Sequence, residues 1–176
     1  LMFHVVINGQ CWLEVDGAAP YRLHPGVLAL VPHGDGHQLL SELNAPTAKL
    51  FDLPSEKISE RYEIIRHGQG GEPATLICGT VSFEHPSAHQ LVRLLPRLIC
   101  IEAWQSPQME WIQSTLNLMT FEAKAMRPGG ETIITRLADI LIIQSIRSWM
   151  AKDPLAKTGW LAALHDKQVG SAILLI

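Results

Sequence analysis

The stretch GVLALVPHGDGH, residues 26–37, is the most informative part of the sequence. An unbroken apolar run, Val27–Val31, leads into a turn rich in Pro and Gly, and the stretch ends on His37. Such a run bounded by turn residues is typical of a short buried strand, and Pro and Gly favour a sharp turn after it. We therefore expect the turn to reverse the chain, so that the next strand begins with the imidazole of His37 facing inward.

Short apolar runs separated by turn signals extend from this stretch in both directions. Asn8-Gly9, Asp16-Gly17 and Pro25-Gly26 mark the turns, and a further β-rich run covers residues 76–84. Short strands at such close spacing predict a β-sandwich or β-barrel rather than βαβ units. The predicted strands near the N-terminus are Phe3–Ile7, Cys11–Val15, Tyr21–Leu23, Val27–Val31 and Gln38–Leu40.

Residues 41–75 form a long polar stretch that contains several Pro and Gly residues. Its middle, around Glu60–Ile65, is compatible with a strand or a short helix. A loop of this length inside a domain is either functional or disordered.

The C-terminal half has a helical pattern. Pro96 is expected to break or end a short helix within Leu91–Ile99, and Ser106-Pro107 is a good helix start. In the helix after that start, apolar residues recur at spacings of three and four, which indicates either a dimer seam or an intramolecular helical hairpin. The seam residues are Met109, Ile112, Leu116 and Met119.

A second helix is predicted over Glu131–Ala151. It is apolar around much of its circumference, so we expect it to be buried on two sides. Shorter helices are expected at Trp160–His165 and from Asp166 onward, where Asp166 would be the N-cap. The apolar sequence at both ends of the chain predicts a fragment of a longer polypeptide.

Composition narrows the classes of function. Lys and Arg number 14 against 17 Asp and Glu, giving a formal net charge of −3, and no basic cluster is visible. A protein that binds nucleic acid usually carries more Lys and Arg than Asp and Glu, so these residues are not expected to bind DNA. No apolar run is long enough to span a bilayer. Three widely spaced cysteines, Cys11, Cys78 and Cys100, argue against a disulfide framework and favour a reducing cytoplasm.

The pattern G-x5-P-x-G-x-x-H at residues 26–37 resembles the second signature of the cupin superfamily. Taken with CGTVSF at 78–83, RLADIL at 136–141 and GWLAAL at 159–164, nearly the whole chain resembles the N-terminal cupin domain of a subgroup of AraC-type transcription regulators. The resemblance implies a cupin-type, jelly-roll-like antiparallel β-barrel over residues 1–100, with the insertion at 41–75. A helical dimerisation and linker region over 101–165 would follow.

Function is implied by the same resemblance. The chain would be an effector-sensing and dimerisation domain, a homodimer without enzymatic activity, that responds to a small-molecule effector. Residues 166–176 would begin the DNA-binding domain. DNA would be contacted only through the missing C-terminal domain with its helix-turn-helix units.

The resemblance also points to site residues. His4 and His37 would face the barrel interior, where two imidazoles could line a ligand pocket with Trp12 or bind a divalent transition metal such as Zn²⁺. Cys78 is the natural third ligand. Strand alternation counts against it, because Val81 and Phe83 should face the core and Cys78 the opposite side, unless a bulge at Gly79 reverses the order. The alternative to a ligand or metal role is that these residues are core side chains whose polar atoms form hydrogen bonds within the protein.

Two rival functions stay open. A metal-dependent cupin enzyme, such as a dioxygenase or isomerase, needs an intact ligand set with open positions. The first cupin signature supplies an H-x-H and a Glu, but the H-x-H would lie before residue 1 and the Glu position falls near Met2. A structural dimerisation domain with a filled interior is the other rival.

Overall fold

In the computed structural model the described residues are 1–60, 62–68, 70–83, 86–102, 110–125 and 127–154. Strands come first and helices follow, which confirms the predicted order of mainly β and then α. The strands are β1 (Met2–Asn8), β2 (Cys11–Val15), β3 (Tyr21–Leu23), β4 (Val27–Val31), β5 (His37–Leu40), β6 (Ser55–Lys57), β7 (Glu63–Ile65), β8 (Thr75–Thr80) and β9 (Ile99–Glu102). The helices are α1 (Pro86–Leu94), α2 (Glu110–Ala125) and α3 (Gly130–Lys152), and a single 3-10 turn covers Leu50–Asp52.

The strands form two main antiparallel sheets and one small hairpin. Sheet A has the order β8-β1-β4-β9, sheet B has the order β3-β2-β5, and β6 pairs with β7. Among the described residues no backbone ladder joins sheet A to sheet B. The two sheets pack face to face, so the expected barrel is a cupin β-sandwich and not one closed ring of hydrogen-bonded strands.

Sheet A separates two hydrophobic cores. The interior core lies between the sheets and contains Leu13 and Leu23 from sheet B with alternate residues of β4. The outer core lies between sheet A and the helices, where Phe3 and Val5 of β1 pack with buried residues of α2 and α3. Successive side chains of a strand point to opposite faces, so each strand of sheet A supplies both cores.

Strand β4 is covered on both faces, and this explains why its own sequence is continuously apolar. Val27, Ala29 and Val31 face the interior core, whereas Leu28 and Leu30 face the outer core. All five residues are buried. A strand covered on both faces has no position for a polar side chain, which explains the unbroken run.

Strand β9 corrects the expected domain boundary. Residues 101 onward were expected to be helical, but Ile99–Glu102 pairs with β4 and completes sheet A. Ile99 and Ile101 face the outer core and Cys100 the interior core. Four residues are too few for a periodicity to stand out, and the pairing with β4 joins segments about seventy residues apart.

The proposed dimer seam on α2 also needs correction. Ile112, Leu116 and Met119 are buried within one chain, against sheet A and α3. The intramolecular hairpin is therefore the correct reading for these three residues, and Met109 lies outside the described residues. Helix α3 covers the span expected for the second helix, and the helices expected after 159 and the helix start at 106 also lie outside the described residues.

The insertion at 41–75 runs between β5 and β8, and it contains the hairpin β6–β7. Its C-terminal end packs against the turn between β1 and β2. Gly9 in that turn has φ +72°, and a Cβ there would lie 2.3 Å from the carbonyl oxygen of Pro73. Glycine is thus required both for the turn and for the close approach. No described helix is long and apolar enough to cross a membrane.

Candidate functional site

The candidate site is built around His4, which is buried in the middle of β1. It shares the interior face of the strand with Met2 and Val6. Across the ladders of sheet A it lies beside Ala29 of β4 and Cys78 of β8. The small side chain of Ala29 therefore borders the imidazole within the sheet.

His37 reaches His4 from the opposite sheet. It is the first residue of β5 and pairs with Val15, whose side chain lies in the interior core. The turn before it is anchored by the imidazole of His33, whose Nε2 donates to the carbonyl oxygen of Leu95, and by the ion pair of Arg97 with Asp35. The turn thus directs His37 inward, as the sequence predicts.

Four groups form one hydrogen-bonded chain. Nε2 of His4 lies 2.9 Å from Nε2 of His37, and Nδ1 of His4 lies 3.0 Å from Sγ of Cys78. Nδ1 of His37 lies 3.1 Å from the carbonyl oxygen of Asp35. The two rings meet edge to face, with centroids 4.9 Å apart.

The direction of every bond follows from that carbonyl. A carbonyl oxygen can only accept, so Nδ1 of His37 carries a hydrogen. With both rings neutral, Nε2 of His37 accepts from Nε2–H of His4, and Nδ1 of His4 accepts from the thiol of Cys78. One tautomer of each imidazole therefore satisfies all three bonds, with no charged group in the chain.

The environment of His4 favours this neutral arrangement. Burial, and then the neighbouring imidazole of His37, lower the pKa of His4 to about 4. Cys78 keeps solvent-accessible surface, yet protein atoms crowd it on most sides, and this desolvation raises the pKa of its thiol to about 12. A thiolate–imidazolium pair is accordingly disfavoured.

The position of Cys78 corrects the alternation argument. Val81 and Phe83 do face a core, and Cys78 does face the opposite way, but the core of Val81 and Phe83 is the outer one under the helices. The face opposite to it is the interior face, where Cys78 meets His4. No bulge at Gly79 is involved, because the ladder between β1 and β8 is regular from Met2 to Val6.

Trp12 is not brought to this site. On β2 it alternates with the interior residues Cys11 and Leu13, and its cross-strand neighbours are Arg22 and Leu40. It therefore lies on the outward face of sheet B. The sequence-predicted residues thus divide into His4, His37 and Cys78, which meet, and Trp12, which does not join them.

The three donors do not fit a resident metal ion. The two nitrogens of His4 point to different partners, so its ring lies between Nε2 of His37 and Sγ of Cys78. A single ion needs all its ligands about 2.0–2.3 Å from one point. Among the described residues, no group of three or more His, Cys, Asp or Glu side chains is arranged to hold a metal. The expected Zn²⁺ set of these three residues is therefore not supported.

The sandwich has one closed side and one open side. On the closed side, the hydroxyl of Tyr21 on β3 donates to the carboxylate of Glu102 on β9, which joins the edges of the two sheets. Desolvation and this bond raise the pKa of Tyr21. Sequence analysis missed the pair, because 81 residues separate its members and neither stands in a recognisable motif.

The open side lies between the other two edge strands, β5 and β8. Leu39 of β5 pairs with the interior residue Leu13 but is exposed, and Cys78 of β8 also keeps solvent access. The insertion at 41–74 connects these same two strands. We name this edge of the sandwich, bordered by His37, Leu39 and Cys78, the β5–β8 mouth.

Comparison with known proteins agrees with the fold and the motif. The family described as "Cupin" matches residues 1–151. The chain belongs to this cupin family.

Individual curated proteins that resemble the chain carry the names of transcription regulators. It is 31% identical to a "Putative AraC-like transcription regulator" of Streptomyces antibioticus, over 98% of this chain and 56% of the relative. A protein of the same name from Streptomyces lividans is 31% identical over 97% of this chain and 55% of its own length. The "RCS-specific HTH-type transcriptional activator RclR" of Escherichia coli (strain K12) is 19% identical over 95% of this chain and 49% of its length.

The chain thus spans about half the length of the curated relatives that it matches. The resemblance to a cupin domain of AraC-type regulators is confirmed. No solved structure matched significantly.

Proposed function

We propose that this chain is the effector-sensing and dimerisation domain of an AraC-type transcription regulator. A small-molecule effector enters the sandwich through the β5–β8 mouth, and DNA is contacted by a separate helix-turn-helix domain. The observation that carries the proposal is the hydrogen-bonded chain of Cys78, His4 and His37, which joins the buried imidazole of His4 to the exposed Cys78 at the edge of sheet A. The relatives named as transcription regulators support it.

The geometry supports a ligand contact at the mouth. Cys78 is exposed and ends the hydrogen-bonded chain, so a ligand that accepts its thiol hydrogen releases Nδ1 of His4. Nε2–H of His4 still donates to His37, whose ring is held by the turn at Asp35, so Nδ1 of His4 becomes free to accept a hydrogen bond from the ligand. A polar ligand that offers a hydrogen-bond acceptor beside an apolar body is the class that suits this mouth.

A melting-temperature screen tests the effector site. Wild-type chain is screened against uncharged compounds such as sugars, and compounds that raise the melting temperature are kept. We expect His37→Phe to abolish the shift and Trp12→Phe, on the outward face of sheet B, to retain it. A shift that survives in His37→Phe, or that is lost in Trp12→Phe, would place the effector elsewhere.

Dimerisation is assigned to a different face of the helical layer than the sequence suggested. The sides of α2 and α3 turned away from sheet A carry large exposed apolar residues. A helix that buries one stripe and exposes a second apolar stripe is suited to a further packing partner. These residues, here named the outer helical face, are Leu118, Phe121, Ile133, Ile140 and Ile143.

A second copy of the chain is the proposed occupant of the outer helical face. The face combines residues from two antiparallel helices, and a two-fold axis would place α3 of each protomer against that of its partner. Ile140→Glu should convert dimers to monomers in sedimentation or light-scattering measurements over a concentration series. Phe51→Glu, at an even more exposed apolar position in the insertion, should leave the dimer unchanged.

A metal-dependent enzyme is the less supported alternative. His4, His37 and Cys78 do not converge on one point, and the relatives carry regulator names. We place the regulator in the cytoplasm, where its three free cysteines would stay reduced.

A further inference from the structure

A second cleft lies outside the sandwich, beside the turn between β4 and β5. Its volume is about 360 Å³, within the size range of small-molecule sites. The cleft is formed by four separate parts of the chain: Leu1, the β4–β5 turn, the end of β8 with the residues that follow it, and the C-terminal half of α1. None of His4, His37 and Cys78 lines it.

One wall of the cleft is apolar. Pro32 from the turn, Val81 and Phe83 after β8, and Val92 of α1 contribute it. Val81 and Phe83 are half-buried against the outer core, so their positions are fixed by packing. A rigid apolar wall of this kind suits a flat or aliphatic ligand body.

The other wall is basic and polar. Arg93 and His89 stand four residues apart on α1, hence on the same side of the helix, and Thr80 and Ser82 also line the cleft. The described lining contains no carboxylate. This concentrates positive charge locally in a chain whose formal net charge is −3.

Arg93 is one of three described arginines, with Arg22 and Arg147, that form no ion pair. Arg66, Arg97, Arg127 and Arg136 each pair with a carboxylate. Arg93 is exposed and forms no ion pair or hydrogen bond within the described part of the chain. Its fork of N–H donors is available to a planar anion, for which a bidentate carboxylate is the best geometric match.

His33 supplies a second polar group to the lining of the cleft. Its Nε2 donates to the carbonyl oxygen of Leu95, so in the neutral ring Nδ1 is an acceptor on the exposed part of the side chain. The cleft thus offers a cation, an apolar wall and an acceptor.

We propose that this cleft binds a small amphipathic monocarboxylate, with the carboxylate on Arg93 and the apolar body against Phe83 and Val92. The site is separate from the β5–β8 mouth, so it does not rest on the proposed effector pocket. A role of Arg93 limited to the dipole at the end of α1 is the alternative, and it predicts no ligand.

Calorimetric titration of the 176-residue chain tests the proposal, with benzoate as the anionic probe and benzamide as its neutral match. We expect benzoate to bind at least about tenfold more tightly than benzamide, because only the anion can form the bidentate pair. Arg93→Gln should weaken benzoate binding about tenfold or more, and Arg93→Lys less, since it keeps the charge and loses the fork.

Matched variants separate this site from its alternatives. Arg66→Gln removes an exposed arginine far along the chain and should leave benzoate affinity within about twofold. His37→Phe, which tests the β5–β8 mouth, should leave it equally unchanged. Equal binding of benzoate and benzamide, equal losses in Arg93→Gln and Arg66→Gln, or no measurable heat at about 10 mM benzoate would each overturn the proposal.

Discussion

The two faces of sheet A have different chemistry although the same strands build them. The face turned to the helices packs large aliphatic and aromatic side chains, such as Phe3, Leu28 and Leu30. The face turned to sheet B carries mostly small residues, Val27, Ala29 and Val31 on β4, together with the groups that can exchange protons, His4 and Cys78. One face is uniformly apolar, whereas the other also carries polar, titratable groups.

The difference teaches that burial alone does not identify function in this fold. His4 is as buried as Phe3 of the outer core, but it forms two polar contacts that continue to a solvent-accessible edge. The outer core is apolar and is covered by α2 and α3. Substitutions on the two faces should therefore have different consequences.

The largest expected effect on stability is in the outer core. Leu116→Ala should lower the free energy of unfolding by about 3 kcal/mol, because it leaves a cavity between α2 and sheet A. Leu43→Ala, at an exposed position of the insertion, should cost less than about 1 kcal/mol. Urea denaturation measures both, and equal losses would contradict the assignment of Leu116 to the core.

The pH dependence of stability is expected to come from the interior face. The pKa of His4 is about 4 when folded and 6.5 when unfolded, so between these values the unfolded chain binds the extra proton. Stability is therefore complete above pH 6.5 and falls toward pH 4, by about 1.4 kcal/mol per pH unit and roughly 3 kcal/mol in all.

The variant His4→Phe removes this titration. The difference in unfolding free energy between wild type and His4→Phe should shift with that slope between pH 6.5 and 4 and stay constant above pH 7. Denaturation at a series of pH values measures it. A difference that does not vary with pH would mean that His4 is solvated in the folded chain.

An intermediate effect is expected where the outer face of β8 meets β1. A Cβ at Gly79 would lie 2.5 Å from Cε1 of Phe3, so Gly79→Ala should cost about 1–3 kcal/mol. The double variant Gly79→Ala with Phe3→Leu should lose less than the sum of the single losses, because the smaller side chain relieves the clash. Additive losses would show that the Phe3 ring does not limit this position.

The smallest effect on the fold concerns the reactivity of Cys78. Although it is exposed, its pKa of about 12 leaves very little thiolate near neutral pH. Alkylation by iodoacetamide at pH 7.5 should be on the order of a hundredfold slower than for free cysteine, as followed by mass spectrometry of the labelled peptides. Labelling of Cys78 as fast as free cysteine would indicate that His4 withdraws the thiol proton.

Much of the sandwich could be predicted from local pattern. The five N-terminal strands were predicted to within about a residue, since tight turns at Asn8-Gly9 and Asp16-Gly17 separate them and both glycines adopt positive φ. Strand β9 was not predictable, because four residues carry no usable period and the strand exists only through its pairing with β4.

For the candidate site, the sequence by itself determined the turn that precedes His37 and the inward direction of its ring. A Pro/Gly turn after a buried strand has few possible conformations, so local chemistry suffices. The sequence likewise determined that His4 shares a face with Met2 and Val6, since strand alternation is local.

Only the tertiary structure decided which face of each element meets which core. The alternation of β8 is visible in the sequence, but Val81 and Phe83 face the helices and Cys78 faces His4 because sheet A is covered on both sides. The stripe of Ile112, Leu116 and Met119 was equally visible, yet its partner is the same chain. A periodic pattern states that a face is buried, whereas what buries it depends on contacts between segments far apart in sequence.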